Sequence, residues 1–159
     1  YDPDMALEWI KQYQREPHYP QMTQAAVIRV ARNDPVRAAR YIVAEPEAAS
    51  SRNTITSVMR VWADDDPEEA EAWISRLPAS RNRDAGYASL VNALAESNFD
   101  RALDAAGEIG DDRIRLSVAM RLLGADPDRL DAIVRRLELP DGFGGQQGFA
   151  DSPLPVGVQ

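Results

Sequence analysis

A segment that begins with Asp or Asn, followed by Pro or an apolar residue, returns along this chain at a fixed interval. Its starts at Asp2, Asp34, Asp66 and Asn98 follow one another with a constant period of 32. A fifth start, Asp126, follows after a shorter interval of 28. Repeats of this length are typical of helical hairpins that stack on their neighbours. The spacing therefore predicts a repeat architecture rather than a closed globule.

Each repeat start has the chemistry of a helix beginning. The side-chain oxygen of Asp or Asn can accept hydrogen bonds from the free N–H groups of a first helical turn. Proline, which follows four of the five starts, fits the first helical position because its missing N–H would have had no partner there. Apolar residues then recur with helical spacing, in the third repeat as Ala70, Trp73 and Ile74. This spacing places them on one face of a helix.

A second helix fills the rest of each repeat. Val30, Trp62 and Leu94 are equivalent positions on it, each one period after the last, and prolines between the helices favour their ends. The pattern predicts nine helices, at residues 3–14, 20–32, 35–45, 50–63, 67–76, 82–96, 99–108, 111–124 and 127–138. We therefore predict an all-α fold, an α-solenoid of about four and a half antiparallel helical hairpins over residues 1–140.

The composition changes after Pro140. Residues 141–159 contain five glycines and two prolines, which disfavour a helix. An end of a solenoid leaves an apolar face that must be covered. We predict an extended Gly/Pro-rich tail that caps its own last helix or docks on another protein. Its candidate contact residues are Phe143, Phe149, Leu154 and Val156.

The net charge of the chain restricts the class of partner that it can bind. The chain has 26 acidic and 18 basic residues and a net charge of −8, whereas a nucleic-acid binder carries a basic face. Acidity also disfavours an anionic membrane surface, and no apolar run approaches the ~20 residues that cross a bilayer. The absence of cysteine excludes disulfides and zinc–thiolate sites. These observations predict protein partners, without nucleic acid and without direct membrane insertion.

The residues that could carry chemistry have simpler structural interpretations. The acidic run 64–68 is similar to an aspartate-rich magnesium site, but Pro67 makes it a helix start, where acids favour the helix dipole. His18, the only histidine, falls in a predicted loop without an acidic partner. A phosphate-binding loop follows a strand and opens a helix. The glycine-rich stretch 142–145 does neither. We predict no catalytic residue, no cofactor and no metal.

Tryptophan and arginine positions each leave an alternative open. Three tryptophans are interpreted as packing between hairpins, with ligand stacking as the alternative; they are Trp9, Trp62 and Trp73. Arg52, Arg83 and Arg113 recur near the starts of second helices. They are interpreted as a structural ladder that bonds helix ends or capping aspartates, and the alternative is a row of donors for an acidic or C-terminal peptide group. If the concave face binds a partner, Arg60 and Arg121 are the predicted contacts.

The sharpest stretch, residues 62–84, resembles a bacterial tandem repeat of the form W-A-x-x-D-P-x-x-A-x-x-W-x-x-x-L-P-x-x-x-x-R-[DN]. This repeat is similar in period to tetratricopeptide arrays, although the tetratricopeptide hallmarks are absent, and the resemblance covers residues 2–138. It implies an α-solenoid and transfers no catalytic residue. Because such repeats occur in envelope-associated proteins, it also implies a bacterial periplasmic or envelope location, with the cytoplasm as the alternative.

These observations predict a non-enzymatic scaffold or assembly subunit that binds protein partners through the solenoid face and the tail. The alternative is a helical accessory domain of a bacterial envelope enzyme whose catalytic part lies outside this chain. Because the sequence begins at Tyr1 rather than Met, we interpret it as a processed or trimmed chain that lacks an upstream signal, anchor or further repeats.

Overall fold

The computed structural model describes residues 3–139, and within this range the chain is all-α. Ten α-helices follow one another: α1 Pro3–Lys11, α2 Tyr19–Ala31, α3 Pro35–Ala44, α4 Pro46–Ala49, α5 Arg52–Asp65, α6 Pro67–Ile74, α7 Arg81–Leu94, α8 Phe99–Gly107, α9 Asp112–Ala125 and α10 Leu130–Leu137. A 3-10 turn, Pro127–Arg129, precedes α10. The predicted all-α class is confirmed. The tail and its contact residues Phe143, Phe149, Leu154 and Val156 lie outside the described residues.

Side-chain caps set the beginnings of the helices. Asp34 accepts a hydrogen bond from the Arg37 amide at 2.9 Å, and Asp66 accepts one from the Glu69 amide at 2.9 Å. Asn98 and Asp126 cap the later repeats in the same way, and Ser51, Ser80 and Asp111 cap α5, α7 and α9. The capping role predicted for the repeat starts at 34, 66, 98 and 126 is therefore confirmed.

The helices pack in chain order. The longer helices α2, α5, α7 and α9 form a row in which each contacts the next. The helices α3, α6 and α8 each lie between the members of that row that precede and follow them in the chain. One apolar cluster extends from Leu7 in α1 to Leu137 in α10. Stacked hairpins require this order of contacts; the solenoid of period 32 stays our interpretation of it.

The tryptophans do not share one environment. Trp62 is buried in the core, and the ring of Trp73 packs 5.8 Å from it, between α5 and α6. Trp9, at the same repeat position as Trp73, is 51% exposed and stacks only on Tyr13 among the described rings. The predicted core role is therefore wrong for Trp9. The physical reason is that no helix of the described chain precedes α1, so Trp9 has no equivalent of Trp62 to pack against.

Candidate functional site

A shallow groove of about 240 Å³ runs between α7 and α9, with one side chain from α5 at its edge. Its basic lining is drawn from three helices and consists of Arg52, Arg81, Arg113 and Arg121. Asn92 and Ser117 add polar groups, and no acidic residue is among the described residues that line it. We call it the arginine groove.

Three of these arginines stand at helix beginnings. Arg52 and Arg81 are the first residues of α5 and α7, and Arg113 is the second residue of α9. A cation in a first turn opposes the helix dipole and costs about 0.3–1 kcal/mol. Departures from local preference concentrate at functional sites. The positive helix ends and the guanidinium groups together make this edge of the molecule attractive to anions.

One carboxylate adjoins the groove and is already engaged. The Asp111 side chain accepts hydrogen bonds from the Ile114 amide at 3.0 Å and the Arg113 amide at 3.1 Å, and Arg81 Nε lies 3.1 Å from it. The hydrogen bond from the Ile114 amide, aided by the charge of Arg81, lowers the pKa of Asp111 below its ordinary value. Asp111 therefore stays ionised as the cap of α9 and holds Arg81 in place.

The other three arginines of the groove make no direct bond through their side chains, although the charge of Arg113 also acts on Asp111. Among residues 3–139, the guanidinium groups of Arg52, Arg113 and Arg121 form no hydrogen bond or ion pair. An arginine guanidinium offers five N–H donors in a planar fork that matches a carboxylate. The arrangement can therefore bind carboxylates from several directions at once.

The structure separates the arginines that the sequence placed together. Arg121 lines the groove with Arg52 and Arg113, as does Arg81, which the sequence interpretation missed. Arg83 instead lies over the Tyr87 ring at 5.1 Å and points to Glu108 at 3.9 Å. Arg60 is exposed on α5, outside the groove lining. An alignment on the capping residues would have selected Arg81, which directly follows Ser80 as Arg52 follows Ser51, but it would have replaced Arg113 by Asp112.

The surface formed by α6, α8 and α10 carries the opposite charge. A cavity of about 390 Å³ there is lined by Glu68, Glu71, Asp104 and Glu108, with Arg136 beside them. Cross-helix pairs occupy several of these acids: Arg101 lies 2.7 Å from Glu71 and 3.3 Å from Glu68, and Arg136 lies 3.2 Å from Asp104. The acids of this surface are therefore partly neutralised by their own neighbours, in contrast to the arginine groove.

A third concave region is apolar. It lies between α3 and α6, encloses about 570 Å³, and is lined by Val36, Val43, Trp73 and Leu77 with arginines at its edge. The indole Nε1 of Trp73 is buried there without a hydrogen-bond partner among the described residues. This cleft has no convergent charged groups comparable to those of the arginine groove.

The remaining candidates have structural positions. His18 is exposed directly before α2, and Asp66 is engaged as the cap of α6, which begins at Pro67 as the sequence predicted. Within residues 3–139 no three acidic or histidine side chains are grouped so that they could hold a metal ion. No helix in the same range is both long and apolar enough to cross a membrane.

Comparison with known proteins adds no relative. No protein-family model, no curated protein and no solved structure matches this chain. The resemblance to a bacterial tandem repeat therefore stays a prediction from residues 62–84.

Proposed function

We propose that this chain is a non-enzymatic protein-interaction module that holds an acidic segment of a partner protein in the arginine groove. One observation carries this proposal. Four arginines, three of them without a side-chain hydrogen bond or ion pair in the described chain, line one groove of a protein whose net charge is −8. The solubility of an acidic protein does not require such a cluster of unneutralised arginines. Binding of an acidic ligand accounts for the cluster, because the ligand would neutralise it.

The size of the groove favours an extended peptide over a small molecule. Its volume of about 240 Å³ is below the roughly 300–1,000 Å³ of small-molecule sites. Charge-assisted hydrogen bonds between guanidinium groups and carboxylates are about twice as strong as neutral ones. Several carboxylates on one extended segment would therefore bind without a deep pocket.

The charge of the rest of the molecule favours a short acidic segment over a nucleic acid. Nucleic-acid binding depends on neutralising many phosphates along a basic surface. Here the acidic surface of α6 and α8 and the net charge of −8 would repel a long polyanion. A short peptide with a few carboxylates would contact only the groove and would not reach the acidic surface.

The predictions that the sequence made about assembly and location are part of the same proposal. We retain the interpretation as a scaffold or assembly subunit of stacked repeats, with an envelope setting that rests on the resemblance alone. The alternative expected from the sequence, an accessory domain of an envelope enzyme, would use the same groove. A binding measurement on the groove therefore bears on both.

A fluorescein-labelled hexaglutamate peptide tests the groove directly by fluorescence anisotropy at low salt. We expect wild type to bind it and to ignore hexaglutamine. Arg121→Glu should weaken binding about tenfold, because an attraction worth ~1 kcal/mol at a surface becomes a repulsion.

The matched control is Arg135→Glu on α10. Arg135 is exposed and forms no ion pair within the described residues, and its reversal changes the net charge equally. It should alter the affinity by less than about twofold, since Arg135 lies outside the groove lining and a single exposed charge contributes little when no direct contact is made. Failure of wild type to bind hexaglutamate, or an equal loss in both variants, would contradict the proposal.

A further inference from the structure

The apolar region between α3 and α6 has the composition of an anchor site. We call it the α3–α6 cleft. At about 570 Å³ it is more than twice the size of the arginine groove. The rings of Trp62 and Trp73 line it and lie 5.8 Å apart, and Val43, on the α3 side, is 59% exposed. The cleft therefore presents aromatic and aliphatic surface to solvent.

The later junctions between first helices are joined by ion pairs across the repeats. Arg101 on α8 lies 3.3 Å from Glu68 and 2.7 Å from Glu71, both on α6. Arg129, in the turn before α10, pairs with Asp100 on α8. In both cases an arginine meets an acid from the preceding repeat, and these pairs bridge the space between the two helices.

The residues at the equivalent positions of α3 and α6 cannot form such a pair. Val36 on α3 is one period of 32 before Glu68, and Glu69 on α6 is one period before Arg101. The acid is therefore replaced by an apolar side chain, and the arginine is replaced by a carboxylate. Both Val36 and Glu69 line the α3–α6 cleft. The cleft is thus found at the junction that lacks the bridging pair.

The charges at the edge of the cleft favour an acidic occupant. Arg40 on α3 and Arg76, directly after α6, are exposed and line the cleft, and neither forms a hydrogen bond or ion pair within residues 3–139. Glu69 also lines it, but seven residues separate Glu69 from Arg76, roughly 10 Å along a helix. A carboxylate could therefore contact an arginine at the edge without meeting Glu69.

We propose that the α3–α6 cleft receives a large apolar side chain from a partner protein segment whose flanking residues are acidic. Burial of an apolar side chain against the two tryptophan rings supplies the attraction, since it removes apolar surface from water on both partners. Carboxylates on either side of it would pair with Arg40 and Arg76. An apolar anchor in a pocket with a charged rim is the usual arrangement of an interface hot spot. This site is separate from the arginine groove, and neither proposal depends on the other.

A second copy of the chain is the competing occupant. Met5 and Trp9, on α1, are 71% and 51% exposed and could enter the cleft of another molecule. However, the Glu8 carboxylate beside Trp9 is already paired with Lys11 at 2.8 Å. A second copy would therefore bring the apolar group without a free carboxylate from Glu8, which is why the edge arginines favour a different, acidic partner.

The indole N–H signals of the full chain in a ¹H–¹⁵N NMR spectrum test the site directly, because the chain has three tryptophans and each gives one signal. The probe is a peptide of two glutamates, leucine, phenylalanine and two glutamates. Its control has two serines in place of leucine and phenylalanine. We expect the first peptide to shift the Trp73 signal, with an affinity about tenfold above that of the control, and to leave the Trp9 signal in place. The Trp73 signal is assigned through its own backbone resonances, so no variant at 73 is needed.

A matched pair of surface variants locates the contact. Val43→Glu should weaken binding of the leucine–phenylalanine peptide about tenfold, because it removes apolar surface and repels the carboxylates. Met5→Glu makes the same exchange at an exposed position outside the cleft lining and should leave the affinity unchanged. Both positions are exposed, so both variants should fold. Equal affinities in the two variants would overturn the inference.

The edge arginines account for the preference for acids. In wild type the leucine–phenylalanine peptide should bind more tightly than its analogue with four glutamines in place of the glutamates. Arg40→Gln with Arg76→Gln should abolish this difference while the shift of the Trp73 signal persists. A Trp73 signal that no peptide moves at millimolar concentration would overturn the inference. So would a signal that moves with protein concentration alone, since it would assign the cleft to a second copy.

Discussion

At the scale of single residues, a buried carboxylate links two repeats. Asp84 in α7 is only 6% exposed, and its Oδ2 accepts a hydrogen bond from the Asp111 amide at 2.8 Å. Asp111 is in turn the cap of α9 and the partner of Arg81. Asp84 therefore positions the beginning of α9, and with it one edge of the arginine groove.

Removal of this carboxylate should destabilise the protein. We expect Asp84→Ala to lower the free energy of unfolding by about 2 kcal/mol, because a hydrogen bond to a charged group is lost and the Asp111 amide is left without its acceptor. Urea unfolding followed by circular dichroism measures the change. Asp65→Ala, at an exposed position at the end of α5, should change stability by less than about 0.5 kcal/mol. Equal losses in the two variants would show that the Asp84 bond contributes nothing specific.

Residue identity predicted some roles and missed others for a physical reason. Capping by Asp34, Asp66 and Asn98 depends on atoms within three residues, so local sequence was sufficient. Arg81 and Arg83 make different contacts because each side chain meets a different neighbour in the packed helices. Arg83 reaches Tyr87 and Glu108, and only the packed helices decide that.

At the scale of secondary-structure elements, the sequence correctly predicted that prolines lie at helix boundaries. It did not show whether a given proline ends one helix or begins the next. Pro46 follows the end of α3, as predicted, and also begins the one-turn helix α4. Proline suits a first helical position as well as a position after an end, so the residue alone does not distinguish them. Helix α1 ends at Lys11, earlier than the predicted residue 14, because the Gln12 and Tyr13 amides bond three residues back and tighten the last turn.

The end of α10 offers a test of helix termination. Glu138 is the only non-glycine residue of the described chain with a positive φ, and the left-handed conformation costs a residue with a Cβ about 1–2 kcal/mol. We expect Glu138→Gly to raise the free energy of unfolding by about 0.5–1 kcal/mol, after the greater freedom of glycine in the unfolded chain is subtracted. Urea unfolding measures it. Glu138→Ala keeps the Cβ and should give no gain; an equal gain from alanine would assign the effect to lost charge instead.

At the scale of the whole molecule, charge is divided between two sides. The arginine groove belongs to the row of α5, α7 and α9, and the acidic cavity belongs to α6 and α8. Of the two arginines that the sequence predicted as partner contacts, Arg121 lines the groove and Arg60 lies outside its lining; their role in binding stays a prediction. The pairing of Arg101 with Glu71, which lie in successive repeats, could not be predicted, because it depends on side-chain reach between helices that the sequence does not specify.

The repeat itself can be tested by deletion. Removal of residues 66–97 takes out one full period and joins Asp65 to Asn98, so that the cap of α8 replaces the cap of α6. In a stack of repeats each unit contacts its neighbours, and α9 should then pack on α5 in place of α7. We expect a helical protein that still unfolds cooperatively, with a urea m-value lower by about a fifth because less surface is exposed on unfolding.

Removal of residues 66–81 is the matched control. It deletes half a repeat and fuses α5 to α7 as one helix, without the intervening α6 that brings the chain back. That variant should lose cooperative unfolding, whereas similar behaviour of the two deletions would contradict the repeat period.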